Sequence, residues 1–299
     1  MRIALLALSA FISTGLFVNA QTSIDDSLQS LRDAVTAKDV DKVKTLAASV
    51  SEAATKITSG PEPTTEIDKD QVARAKDAQS YAEYALYTTA LASDAATRVD
   101  LFATLEQIGP ASKYLNDGYA YYFQSLTLTG DTAKIPAIAE KALKSLPSSP
   151  DVLAQLMNLA AQKSQNDKAA SYAQKLIAVL AKRPKSEIMP DAEWAKKKTG
   201  MLGSAHMVSG LILVAQGKNY RADQELRAAL PLVSDDMQKA AVLFNLALSN
   251  YNLGSVGLNR AQVLDAAKFS QQCAAIKSQY QDQCAHNVTA MKAYAANMH

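Results

Sequence analysis

Three histidines, His206, His286 and His299, are the side chains of this sequence best suited to ligating a metal or shuttling a proton. They lie in three separate segments, with no second ligand close by. A zinc site draws on three or four His, Cys or carboxylate ligands at short spacings, and the chain has neither His-x-x-x-His nor Cys-x-x-Cys. A calcium loop needs closely spaced oxygen donors, and no Asp-rich loop is present. The glycines are scattered, so none builds a phosphate-cradling turn ahead of a helix, and no nucleophile elbow is found. Isolated Asp and Glu residues on a helical protein do not specify acid–base chemistry. His206 is expected as a packed or hydrogen-bonded helix residue. No catalytic, cofactor-binding or metal-binding residue is expected, no cofactor is implied, and the chain reads as a non-enzyme.

Cys273 and Cys284 are the only two cysteines. Eleven positions separate them, and a turn between two helices is expected at about residues 277–280. A disulfide there would tie two helices together, and closing a loop of about twelve residues is worth ~3 kcal/mol in the chain-entropy model. Two buried thiols are the alternative, and a redox-active pair does not fit the spacing.

Lys182, Arg183, Lys185, Lys196, Lys197 and Lys198 gather around Trp194, the only tryptophan. Two readings are open: an anion- or surface-binding patch beside an exposed aromatic, or solvated charge diluted by Glu187, Asp191 and Glu193. The second is the ordinary state of such a segment. A net charge of +2, from 31 basic and 29 acidic residues interspersed along the chain, argues against a nucleic-acid binder.

The elements that would position these residues are helices. Gly (11) and Pro (9) are scarce among 299 residues, while Ala, the strongest helix former, is the commonest residue and lets helices approach closely. Residues 21–58 read as an N-terminal helical hairpin. Ile24, Leu28, Leu31 and Val35 form one apolar stripe, Val40, Val43, Ala47, Val50 and Ala54 a second, with a break near Lys38-Asp39. Residues 59–66, containing Gly60-Pro61-Glu62-Pro63, cannot continue a helix and read as a linker. Residues 67–299 are expected to be helical to the end. Within them, residues 116–147 and 203–234 align without a gap. Tyr119, Tyr122, Phe123 and Leu126, the Gly130-Asp131 turn, and Ile135, Ala139 and Ala142 stand opposite His206, Ser209, Gly210 and Leu213, the Gly217-Lys218 turn, and Ala222, Leu226 and Ala229. Residues 79–110, 150–183 and 240–276 are weaker copies, the last opening with Leu243, Leu246, Ala247 and Gly254 and then inserting about seven residues, Ser255 to Ala261, before Ala266, Phe269 and Cys273. Residues 281–298 read as a closing helix.

This rhythm resembles the tetratricopeptide repeat, whose units of ~34 residues are pairs of antiparallel helices. The resemblance spans roughly residues 79–280. It implies an all-α fold, a right-handed superhelical solenoid of antiparallel helix pairs, preceded here by the N-terminal hairpin. Small residues stand where paired helices cross in that family, and Gly210, Ala222 and Ala229 occupy those places. The first helix of each pair lines the concave face. Carried onto this sequence, that lining is Tyr84, Tyr121, Gln124, Gln155, Asn158, Gln162, Val208, Leu211, Asn245, Leu248 and Tyr251. It is neutral, so a clamp for a terminal carboxylate is disfavoured, whereas amides and tyrosines suit an extended peptide. The resemblance thus implies a non-catalytic scaffold that binds a protein or peptide partner through Tyr84, Tyr121, Gln124, Gln155, Asn158, Asn245 and Tyr251. A structural assembly subunit is the alternative, and an envelope enzyme acting on glycans or peptidoglycan a more distant one.

Residues 1–20 read as a secretory signal: Arg2, an apolar run from Ile3 to Val18, and small or permissive residues ahead of a cut before Gln21. No later segment is apolar for the ~20 residues a span requires, so no integral membrane segment is expected after cleavage. The mature chain is expected to be exported, periplasmic or secreted, where a disulfide would persist.

Overall fold

A computed structural model describes residues 13–182 and 189–298, with side chains described from Ile24 onward. Residues 1–12 of the expected signal segment, His299, and Arg183, Pro184, Lys185 and Glu187 of the basic neighbourhood lie outside the described residues. The described residues are all-α and contain no strand. In chain order the helices are α1 (Ser13–Thr36), α2 (Val40–Thr58), α3 (Glu66–Ala92), α4 (Ala95–Ile108), α5 (Lys113–Leu128), α6 (Ile135–Ser145), α7 (Pro150–Gln162), α8 (Asn166–Lys182), α9 (Asp191–Ala215), α10 (Asn219–Ala229), α11 (Asp236–Val256), α12 (Arg260–Ala274) and α13 (Gln281–Ala296). A single 3-10 turn, Thr132–Lys134, precedes α6. Among the described residues no helix is long and apolar enough to cross a membrane.

The chain divides into two compact units, Met1–Ile138 and Ala139–His299. In the first, each helix from α1 to α5 packs on the next, and α1 on α3, α2 on α4 and α3 on α5 make lighter contacts. In the second, each helix from α7 to α13 packs on the next. The lighter alternate contacts there fall on the odd-numbered helices, α7 with α9, α9 with α11 and α11 with α13.

Short alanines and glycines allow this packing. Ala47, Ala54, Ala82, Ala85, Ala90, Ala139, Ala169, Ala173, Ala222, Ala229, Ala240 and Ala266 have no appreciable exposure, and each brings a neighbouring helix closer than a larger side chain would. Gly118 and Gly210 are the tightest cases: a Cβ would stand 2.4 Å from Phe102 Cε1 at the first and 2.5 Å from Leu226 Cγ at the second.

Five odd-numbered helices end alike. After α1, α5, α7, α9 and α11, one residue takes a positive φ: Lys38 (56°), Gly130 (81°), Ser164 (55°), Gly217 (70°) and Leu258 (49°). The amide that follows each returns to a carbonyl five residues back: Asp39 to Ala34, Asp131 to Leu126, Gln165 to Ala160, Lys218 to Leu213 and Asn259 to Gly254, at 2.8–3.0 Å. This left-handed closure satisfies carbonyls that the helix end leaves open. Gly130 and Ser164 are 34 residues apart, and Gly217 and Leu258 are 41 apart. The last turn falls at Leu258. Gly254 lies inside α11, where a Cβ would meet Val263 Cγ2 at 2.7 Å. Of the inserted residues, Ser255 and Val256 extend α11, Gly257 to Asn259 make the turn, and Arg260 and Ala261 open α12.

Candidate functional site

Unit 1 carries a connected run of aromatic rings. Its frame is the start of α5, where Ser112 Oγ accepts from the amides of Tyr114 and Leu115 at 3.2 and 3.4 Å. Glu83 of α3 reaches the same connector. Its carboxylate lies so close to Gly109 that a Cβ there would stand 2.6 Å from Glu83 Oε1. Burial holds the Glu83 carboxyl above the usual carboxylate range, and a hydrogen bond from Ser112 opposes that rise. These contacts fix α3 against the first turn of α5, where the rings meet.

On α3, Tyr81 and Tyr84 have ring centres 6.2 Å apart, and Tyr84 lies 5.6 Å from Tyr114 of α5. Tyr114 also touches Tyr87 (6.0 Å), Tyr87 touches Phe102 (6.3 Å), and Phe102 stacks on Tyr122 (5.7 Å). Tyr119 and Phe123 complete the run at 5.4 Å. The inner rings are core, while Tyr84 keeps 42% of its surface exposed. Arg32 lies over Tyr81 at 5.3 Å and Lys113 over Tyr114 at 5.4 Å. At the buried end, Tyr119 donates its hydroxyl to Glu106 Oε1 at 3.2 Å. Burial and the neighbouring carboxylate raise the Tyr119 phenol above its ordinary range, and burial, followed by the Glu106 charge, pushes the Tyr122 phenol up to about 12. The arrangement offers flat apolar contact with polar tips, anchored on rings that have no room to move.

The residues expected to line a groove divide between the units. In unit 1, Tyr84 is exposed on α3, and on α5 Tyr121 is half-buried and Gln124 exposed. In unit 2, Asn158 and Gln162 are exposed on α7 and Gln155 is half-buried. Val208 and Leu211 of α9 pack against core. On α11, Asn245 donates to its own helix at Ala241 O, 2.8 Å, and Tyr251 meets Tyr294 of α13 edge-on at 5.5 Å. Asn245 and Tyr251 therefore already have partners within the fold. Sequence reasoning missed Tyr81 and Tyr114. The signal was present: Tyr81 is one turn before Tyr84, and Tyr114 is two turns before Tyr121 on the same helix face.

The candidate chemistry-bearing residues remain apart. His206 Nδ1 pairs with Glu225 Oε2 at 2.7 Å, joining α9 to α10, and His286 is exposed on α13. Among the described residues no His, Cys, Asp and Glu cluster could hold a metal. Cys273 and Cys284 form a disulfide with α-carbons 5.8 Å apart, joining α12 to α13. Trp194 is not an exposed aromatic. It is buried with Leu153, Met157 and Leu180. Lys197 is not a solvated charge either, because its Nζ reaches the buried Asp151 Oδ2 at 2.7 Å. A continuing α9 turns both side chains inward, against α7, whereas Lys196 stays exposed.

No family model matches this sequence, and no curated protein matches it.

Proposed function

We propose that the chain is a non-catalytic scaffold of the cell envelope, built of tetratricopeptide-like helix pairs, that binds an extended protein segment through residues exposed on odd-numbered helices. The observation that carries this reading is the Tyr84–Tyr114 contact. Two tyrosines from the first helices of successive pairs meet at 5.6 Å and continue along α5 to Tyr121 and Gln124. Three further features support it. The left-handed turns at Gly130 and Ser164 stand 34 residues apart, the repeat length of that family. Gly210 against Leu226 leaves no room for a side chain at a helix crossing. In unit 2 the alternate contacts fall on the odd helices, as they would if those helices formed the inner row of a curved, right-handed antiparallel stack.

Export is part of the proposal. The disulfide suits an oxidising compartment. Mass spectrometry of the exported chain should find Gln21 as its first residue, and a chain retaining Met1 would defeat this part of the reading.

Photo-crosslinking tests the binding surface. A photoreactive residue at Gln124 or Asn158 should give partner adducts, and one at the exposed Ser171 of α8 should not. Tyr84→Ala should remove the Gln124 adduct with helix content unchanged. Adducts from α8 alone would place binding on another surface.

A further inference from the structure

The lengthened α11 leaves an apolar, basic tip with no use in the surface just described. Asn252 of α11 reaches Asn219 of α10 at 3.4 Å, which sets the α9–α10 turn beside the body of α11. The α11–α12 turn therefore stands about one helical turn beyond its neighbour. Val256 (87% exposed) and Leu258 (78% exposed) cap it, and Tyr220 (68% exposed) stands on the adjoining turn. An open cleft between the turns is lined by Lys218, Tyr220, Arg221 and Val256 among others. Leu258 occupies the left-handed region at φ 49°, which is costly for a side chain that gains almost no packing there. Residues 216–222 and 251–264 contain no carboxylate. Among the described residues neither Lys218 nor Arg221 forms an ion pair, while Arg260 is engaged with Ala295 O.

We infer that this tip docks on an anionic lipid surface, with Val256, Leu258 and Tyr220 entering the headgroup boundary and Lys218 and Arg221 meeting the phosphates. Charge complementarity favours an anionic partner, and apolar side chains beside snorkelling cations are what an interfacial anchor requires. Three apolar side chains on a projecting tip fall far short of the roughly 800 Å² per side that a stable protein interface buries, which favours lipid over a protein partner.

The bridged cysteines leave no free thiol, so Val256→Cys in the full chain can be labelled selectively with a polarity-sensitive fluorophore. Emission should shift to the blue on vesicles of equal parts phosphatidylglycerol and phosphatidylcholine, but not on phosphatidylcholine alone. A Ser171→Cys label should not respond, which separates docking by the tip from adsorption through residues 3–18. Lys218→Ala with Arg221→Ala should weaken the response about thirtyfold. Leu258→Gly should leave melting unchanged or raise it by a few degrees while lowering vesicle binding. A label at 256 that stays in water, an equal response at 171, a stronger response to poly-glutamate than to vesicles, or a lower melting temperature for Leu258→Gly would each overturn the assignment.

Discussion

Single residues show where burial has turned ordinary side chains into structural ones. Lys197 meets Asp151, a buried carboxylate on the first turn of α7, where the helix N-terminus already favours negative charge. Lys197→Ala should cost about 2 kcal/mol, part way to the loss seen when a buried pair is fully broken. Lys196→Ala should stay within about 0.5 kcal/mol. Denaturant melts of the two variants check this, and equal effects would mean that the Asp151 contact contributes nothing. The buried phenols give a pH dependence. A tyrosine pushed up to about 12, as Tyr122 is, keeps its proton in the folded state while the unfolded chain loses its own near 10. The unfolded state therefore binds fewer protons between those values. The contribution is whole below pH ~10 and is lost as pH rises toward about 12. Tyr122→Phe should flatten alkaline unfolding across that window, with little change at pH 7.

At the scale of helices, small residues decide the spacing. Gly210 and Gly200 share α9, yet a Cβ at Gly210 would meet the buried Leu226 at 2.5 Å, whereas nothing lies within 4 Å of Gly200. Gly210→Ala should therefore destabilise by about 1–3 kcal/mol through overpacking, and Gly200→Ala should stabilise by roughly 0.5–1 kcal/mol through helix propensity. Thermal melts should move in opposite directions. This contrast also shows what the sequence made legible. Periodic apolar positions identified the helices, because an amphipathic stripe depends only on local spacing: Tyr119, Phe123, Leu126, Ala139 and Leu226 are all buried. The register of the last turn was not legible. The left-handed position went to Leu258, a residue type that rarely takes it, and nothing in the local sequence marks it. Trp194 and Lys197 misled for a related reason. Whether a charged segment is a solvated face or a packed helix depends on what it packs against, and the Asp151 partner lies 46 residues away.

Across the molecule, contacts in each unit reach only the next helix and the next but one. Perturbations in such an arrangement stay near their origin, because no helix outside that range loses a partner. The disulfide provides a clean perturbation. It joins α12 to α13 at the end of unit 2, and α13 otherwise relies on α12, on α11 and on a few side chains, among them Met291 under Ser270 and Arg260 at Ala295 O. Opening it restores to the unfolded chain about 3 kcal/mol of loop freedom. Since every 1.4 kcal/mol is tenfold, exchange of the α13 amides should accelerate by up to roughly a hundredfold on mild reduction. The α12 amides should follow to a smaller extent, and those of α1 to α5 should hold their rates. Peptide-level hydrogen exchange before and after reduction measures this directly. A uniform acceleration through both units would mean that the chain opens as one cooperative body, and the nearest-neighbour account would fail. A change confined to α12 and α13 would show that the bridge holds the end of unit 2 closed.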